Sequence, residues 1–290
     1  MRPIALILAA CAALTLNWAA PAHSAARTAA EQRLAHITIR SVGHGSPVVL
    51  IPGLASPAAV FDDVAAKIGT DHQLIFVQVN GFAGSAAPVS TDNLLPSAVD
   101  EAADWIAANH LEKSAVIGHS MGGLMGMMLA KSHPQAAGKL LIVDSLPFYG
   151  MLFGPAATPD MVRPVVEKMR AGLVSGTTPP QSPPHMSNTE IGKAKIQAWL
   201  ATSDRKTVGE ALVEDATTDM RQDLAKLQPI PLTVLYAAPD AATKAMADKM
   251  YREAYKALPN AKLVPVEGTE HFIMLDQPEQ FERAVEAFVR

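Results

Sequence analysis

Residues 115–123 read Ala-Val-Ile-Gly-His-Ser-Met-Gly-Gly, an apolar run followed by a serine between glycines. Its apolar first part is typical of a buried strand, and a helical pattern begins at Met121. Ser120 stands at the turn between Gly118 and Gly122, whose missing Cβ atoms let the strand and the helix approach closely. Such a turn strains the serine backbone and presents its hydroxyl to a base and to a substrate carbonyl. The stretch therefore predicts a nucleophilic Ser120 rather than a glycine-rich turn with a bystander serine.

Outward from this turn, short apolar segments rich in β-branched residues alternate with helical patterns. The predicted strands are 34–40, 47–51, 73–79, 115–117, 140–143, 232–236 and 261–266. The predicted helices are 58–68, 94–109, 121–131, 243–258 and 278–289. This alternation predicts an α/β fold with a mostly parallel central sheet and helices on both faces.

The alternation stops between Phe148 and Pro229, where no segment has a convincing strand pattern. Helical patterns cover 160–172 and 189–202, and a proline-rich piece covers 177–184. Long irregular insertions of this kind tend to be lids or binding elements. The predicted organisation is a signal peptide over 1–26, a core over 27–147 and 230–290, and a small helical cap over 148–229.

Four segments in the same order resemble the α/β-hydrolase superfamily, in particular its serine esterases and lipases. They are 48–54, 79–85, 118–123 and 268–281. The resemblance implies a catalytic triad in the chain order serine, acid, histidine. It also implies an oxyanion hole formed by the backbone N–H groups of Leu54 and Met121, which follow the first matched strand and the nucleophile.

The resemblance makes His271 the catalytic base and Asp240 the acid that orients it. Among nine histidines, His271 is the one that falls between the last predicted strand and the closing helix. Asp240 follows the strand 232–236, at the family's commonest acid position, whereas Asp144 ends the preceding strand and is the alternative. Either aspartate could instead cap a helix or stabilise a turn.

The remaining site predictions concern the substrate pocket. His119 occupies the variable position beside the nucleophile and is expected to line the pocket wall. Phe148, Phe153 and Trp199 belong to the predicted cap and are expected to shape an apolar acyl pocket.

These residues predict a carboxylesterase-like serine hydrolase that cleaves an ester-type bond, a carboxylic ester or lactone, of a small and largely apolar substrate through an acyl-enzyme. Amide, peptide-end or carbon–carbon bond hydrolysis on the same triad is an alternative, because one fold hosts many chemistries. A non-catalytic member that binds a ligand under its cap is the alternative from another class.

The composition limits the classes of partner that we expect this chain to bind. The 290 residues include 24 Lys and Arg against 28 Asp and Glu, a net charge of −4 without a basic block. Nucleic acid is therefore not expected as a partner, because phosphate binding needs a clustered basic surface. No ligand spacing typical of a metal and no dinucleotide or phosphate-binding loop occurs in the sequence, so no metal and no cofactor are predicted. The expected partner is a small-molecule ester, and the sequence leaves the oligomeric state open.

The N-terminal residues have the pattern of a secretory signal peptide. Arg2 precedes an apolar run over 4–16, and small residues are frequent over 21–26. The run is shorter than the roughly 20 residues of a membrane span, so no stable span is expected. The pattern predicts a periplasmic or secreted protein. A lipid anchor at Cys11, the chain's single cysteine, is the disfavoured alternative.

Overall fold

A computed structural model describes residues 30–290 of the chain, and the predicted signal peptide lies outside the described residues. These residues form a sheet of eight strands in the order β1-β2-β4-β3-β5-β6-β7-β8. The strands are β1 (Ala30–Arg33), β2 (Ile37–Val42), β3 (Ser46–Ile51), β4 (His72–Val79), β5 (Ser114–His119), β6 (Ala137–Val143), β7 (Leu232–Ala238) and β8 (Lys262–Glu267). Strands β3 to β8 pair in parallel, and β1 and β2 add an antiparallel edge.

The helices are α1 (Asp62–Ile68), α2 (Leu94–Ala108), α3 (Met121–Ser132), α4 (Pro159–Ser175), α5 (Glu190–Thr202), α6 (Arg205–Thr217), α7 (Ala241–Ala254), α8 (Ile273–Asp276) and α9 (Pro278–Val289). Short 3₁₀ turns occupy Ala58–Phe61, Tyr149–Phe153 and Leu224–Leu227. The predicted α/β class with a mostly parallel sheet is confirmed.

The central strands are buried on both faces, as strand β3 illustrates. Side chains of successive strand residues point to opposite faces of a sheet. Val48 and Leu50 therefore join the core layer that contains Phe61 of the first 3₁₀ turn and Phe281 of α9. Val49 joins the layer on the other face, where helices α2, α3 and α7 pack. Two apolar layers thus hold the carboxyl ends of the parallel strands at one edge of the sheet.

The chain between β6 and β7, residues 144–231, is called the inserted segment below. In the part of the chain that the structure describes, it contains helices and 3₁₀ turns but no strand. Helix α6 lies where the sequence predicted no helix, because Gly209 and β-branched Thr207 and Val208 weaken its helical pattern. Its buried residues pack against α4 and α2, and this tertiary packing outweighs propensity. Whether 148–229 acts as a lid stays a prediction.

Among residues 30–290, no helix combines the length and the apolar character that crossing a membrane requires.

Candidate active site

Ser120 occupies the turn between β5, which ends at His119, and α3, which begins at Met121. Its backbone lies at φ 55° and ψ −125°, a conformation that residues with a Cβ rarely adopt. Strain of this kind costs on the order of 1–3 kcal/mol and persists only where the surroundings enforce it. The predicted strand, turn and helix around Ser120 are all present.

Three glycines make the turn possible. A Cβ on Gly118 would collide with the backbone of Gly122, and a Cβ on Gly122 would collide with the carbonyl of Ile51 at the end of β3. A Cβ on Gly53 would lie 3.0 Å from the Cβ of Ser120. The loop after β3 and the start of α3 therefore touch backbone to backbone, which brings Leu54 and Met121 to the same place.

The imidazole of His271 is paired with Asp144. His271 Nδ1 lies 2.7 Å from Asp144 Oδ2. Asp144 follows β6 directly and has a left-handed backbone, with φ 46°. The expectation that Asp240 orients His271 is therefore wrong, and the alternative drawn from the sequence, Asp144, forms the pair.

Asp240 instead begins helix α7. Its Oδ1 accepts the N–H groups of Ala242 and Thr243, each at 2.9 Å, and the Thr243 hydroxyl in turn accepts the Asp240 N–H. These hydrogen bonds satisfy N–H groups that the first helical turn leaves without partners. They also lower the pKa of Asp240, with the Thr243 N–H contributing most. The spacing of Asp240 and Thr243, with a helical pattern after it, is a capping signal that the sequence already contained.

Three donors hold the Asp144 carboxylate. Besides His271, the Ala237 N–H donates to Oδ1 at 2.9 Å and the Tyr251 hydroxyl donates to the same oxygen at 3.0 Å. Burial by itself raises the pKa of Asp144, but the His271 bond, its charge and these donors together hold that pKa below the ordinary value. Asp144 therefore stays ionised and suits the orientation of an imidazole that gains a proton.

Ser120 and His271 border the same cavity. The hydrogen bonds that His271 makes within residues 30–290 use Nδ1, the backbone N–H and the carbonyl, and none uses Nε2. No hydrogen bond joins Ser120 Oγ to His271, and catalytic contacts of this kind often tighten only when substrate binds.

Leu54 and Met121 also border this cavity. Neither backbone N–H donates to an acceptor within residues 30–290. Met121 is the first residue of α3, where an N–H has no partner inside the helix. Two such donors at one cavity can hold the oxygen of a tetrahedral intermediate.

His119 is wholly buried between the turn and the loop that carries His271. Its Nε2 donates to the His271 carbonyl at 3.1 Å, which leaves Nδ1 with a lone pair and no partner in the described chain. The ring lies 4.7 Å from that of His271 and 4.6 Å from that of Phe272. Burial, followed by the charge of His271, lowers the pKa of His119 to about 3, so the ring is neutral at ordinary pH.

The cavity has a volume of about 580 Å³, within the usual range for small-molecule sites. His119 and Trp199 border it as expected. Phe148 and Phe153 do not, and this part of the predicted pocket is wrong. Phe148 is buried beneath the guanidinium of Arg221, and Phe153 is 56% exposed at the surface.

Tyr149 and Leu152 take the place of the two phenylalanines at the cavity. They lie three residues apart in a 3₁₀ turn, so they share one face of it, whereas Phe148 and Phe153 flank that face. The turn type, which the sequence did not indicate, decides which aromatic residue meets a ligand.

Asp215 of α6 is a cavity residue that the sequence did not predict. Its helix was not predicted either, so nothing in the sequence placed its carboxyl group near the site. Within residues 30–290 there is no cluster of three or more histidines, cysteines, aspartates or glutamates arranged to hold a metal.

A model of the protein family described as "Alpha/beta hydrolase family" matches residues 48–284. RutD of Yersinia enterocolitica is 32% identical over 109 residues, which cover 36% of this chain and 39% of RutD, so this chain spans well under half of that relative. A pimeloyl-(acyl-carrier protein) methyl ester esterase of Aeromonas hydrophila is 25% identical over 262 residues, covering 87% of this chain and 99% of the esterase.

Solved structures of other proteins have a fold similar to that of this chain. A thermophilic esterase from Thermogutta terrifontis superposes with a TM-score of 0.70 at 20% identity, over 90% of this chain and 98% of the esterase. At that identity, the likeness shows a shared architecture and no more.

Proposed function

Because this chain belongs to the alpha/beta hydrolase family, we propose that it is a serine hydrolase that cleaves carboxylic esters or lactones of small, largely apolar molecules. One observation carries the proposal. A strained serine, Ser120, shares a cavity with the His271–Asp144 pair and with two backbone N–H groups that have no acceptor among residues 30–290.

The proposed reaction begins with proton transfer from Ser120 to Nε2 of His271 as the serine oxygen attacks the substrate carbonyl. Asp144 holds the other ring nitrogen and stabilises the imidazolium that forms. The N–H groups of Leu54 and Met121 hold the oxyanion. The C–O bond to the leaving group then breaks, His271 protonates the departing alkoxide oxygen, and an acyl group remains on Ser120. Water, deprotonated by His271, attacks this acyl group, and His271 returns the proton to the Ser120 oxygen as the acid leaves.

The choice of an ester-type bond rests on the full-length relative, the pimeloyl-(acyl-carrier protein) methyl ester esterase, together with the cavity. The cavity wall is mainly apolar, with Leu152, Met186 and Ile196 among its side chains. Such a wall suits an acyl chain of modest length, because burying apolar surface stabilises a complex by about 25 cal/mol per Å².

The test is hydrolysis of p-nitrophenyl esters of graded chain length by the wild type and by Ser120→Ala. We expect the substitution to lower kcat on the order of 10⁴-fold or more, since the residues of such a triad act as a unit. The control is Ser132→Ala, which alters an exposed serine at the far end of α3 and should leave kcat unchanged. Equal activity of the wild type and Ser120→Ala, or inactivity of the wild type on every ester, would overturn the proposal.

A further inference from the structure

Asp215 borders the catalytic cavity, and no other side chain of residues 30–290 forms an ion pair with its carboxyl group. It lies near the end of α6 and is only 9% exposed. Among residues 30–290, its oxygens take part in no hydrogen bond and no ion pair. A buried carboxylate without a partner is costly, since its ionised form loses hydration and gains nothing in return.

The other acidic groups of this cavity have partners. Asp144 accepts hydrogen bonds from His271, Ala237 and Tyr251. Glu270 lies 3.2 Å from the His185 imidazole. Asp215 is thus the acidic group of the cavity wall that is left for a ligand.

The charge of the wall favours a cation as that ligand. Asp144 and Glu270 on this wall lie beside His271 and His185, which leaves Asp215 as the acidic side chain without a partner in the described chain. No lysine or arginine of residues 30–290 borders the cavity. Aromatic side chains also border it, among them Tyr149 and Trp199, whose ring faces attract cations. A substrate cation would give Asp215 the direct ion-pair partner that no side chain of residues 30–290 provides.

We propose that Asp215 is a specificity-determining residue that binds an ammonium group carried by the ester substrate at a distance from the scissile carbonyl. The inference rests on the proposed function, because it takes this cavity as the substrate site. Burial raises the pKa of Asp215 to about 7, with the charge of His271 opposing the rise. A bound ammonium would favour the ionised form in the same way as any nearby cation.

The experiment measures binding by calorimetry in a Ser120→Ala background, so that no turnover is needed. The ligands are ω-ammonium fatty acid methyl esters of graded chain length, with matched esters that end in a methyl group or a hydroxyl. We expect the ammonium ester of the best length to bind at least ~10-fold more tightly than its methyl counterpart, since a desolvated charge pair strengthens binding by this much or more. Adding Asp215→Asn should remove that preference.

The matched control adds Asp160→Asn, which removes an exposed charge of the inserted segment that does not border the cavity and should keep the preference. Equal or weaker binding of the ammonium ester at every length, tighter binding of the hydroxyl ester, or a preference that survives Asp215→Asn would overturn the inference. Hydrolysis of the same esters by the wild type tests the proposed function separately. If the wild type releases no acid, the proposed chemistry fails, while the binding measurement still decides the role of Asp215.

Discussion

Asp144 and Asp240 follow two neighbouring parallel strands, β6 and β7, and their backbones direct the carboxylates to different partners. The left-handed conformation of Asp144 directs its side chain to His271, whereas the extended backbone of Asp240 directs its side chain to the first N–H groups of α7. Carboxyl ends of adjacent parallel strands meet at one sheet edge, so strand order alone admits either residue. The distinction depends on local φ and ψ, which the sequence pattern did not contain.

Because of this difference, replacing aspartate by asparagine should lower activity at position 144 and leave it unchanged at position 240. Asp144→Asn should lower kcat for ester hydrolysis by about 10³–10⁴-fold, because the amide no longer stabilises the imidazolium and can favour the wrong tautomer of His271. Asp240→Asn should leave kcat close to the wild-type value, since asparagine also caps helices well. Steady-state kinetics on one p-nitrophenyl ester compares the two, and a larger loss in Asp240→Asn would contradict the assignment.

His119 supports the loop that carries His271 through one hydrogen bond to the His271 carbonyl. His119→Phe keeps the ring but leaves that carbonyl without its donor, which should lower the free energy of unfolding by about 1–3 kcal/mol. His119→Gln can place an amide donor near the position of Nε2 and should recover part of the loss. Urea unfolding of the two variants measures this. Equal stability of both would show that the ring packing matters and the donor does not.

The raised pKa of Asp215 should make the folded protein less stable as the pH rises. Its pKa is about 7 in the folded protein against 3.8 as the ordinary value. Between pH 3.8 and about 7, the Asp215 carboxyl group holds a proton in the folded protein that it has released in the unfolded chain. The stabilisation that this proton gives is complete below pH 3.8 and is lost as the pH rises through about 7. The free energy of unfolding that is lost in this way amounts to about 4 kcal/mol at most.

Asp215→Asn removes this term, so the variant should gain stability relative to the wild type as the pH rises from 4 to 8. Urea unfolding of both proteins at several pH values measures the difference. His119, whose folded pKa of about 3 lies below the ordinary 6.5, acts in the opposite direction in both proteins and cancels in the comparison. A constant difference between the two proteins across this range would contradict the assigned burial of Asp215.

At the scale of elements, the turn from β5 to α3 depends on Gly122 far more than on Gly126, although the two lie one helical turn apart. A Cβ on Gly122 meets the carbonyls of Ile51 and Pro52, whereas a Cβ on Gly126 meets Val116 at an ordinary 3.4 Å. The carbonyls that a Cβ on Gly122 would meet belong to the backbone, which cannot move without displacing the loop that carries Leu54.

Gly122→Ala should therefore lower the free energy of unfolding by about 2 kcal/mol or more and reduce the proposed esterase activity, because the two backbone donors separate. Gly126→Ala is the matched control and should be neutral or stabilising by up to about 1 kcal/mol, since alanine favours a helix. Thermal unfolding and kinetics on the two variants check this. Equal tolerance of both substitutions would show that α3 packs more loosely against β3 than the structure indicates.

Across the whole molecule, the sequence predicted the strands and helices that have a clear apolar pattern and missed the features that depend on tertiary packing. The strands β2 to β8 follow from apolar runs, and α9 begins and ends where its pattern predicts. Strand β1 was missed because Ala-Glu-Gln-Arg is polar and pairs only at the sheet edge. The inserted segment was recognised as helical, but two of the residues that it contributes to the cavity, Tyr149 and Asp215, were missed because they depend on turn geometry and on α6.

We propose that His271, about 150 residues from Ser120 along the chain, activates Ser120 as a nucleophile. The most direct test is treatment of the full protein with a fluorophosphonate, followed by peptide mapping by mass spectrometry. We expect one adduct, on Ser120 of the wild type, and none on that peptide in His271→Ala over the same time. An unmodified Ser120 in the wild type, or equally fast labelling of His271→Ala, would contradict it.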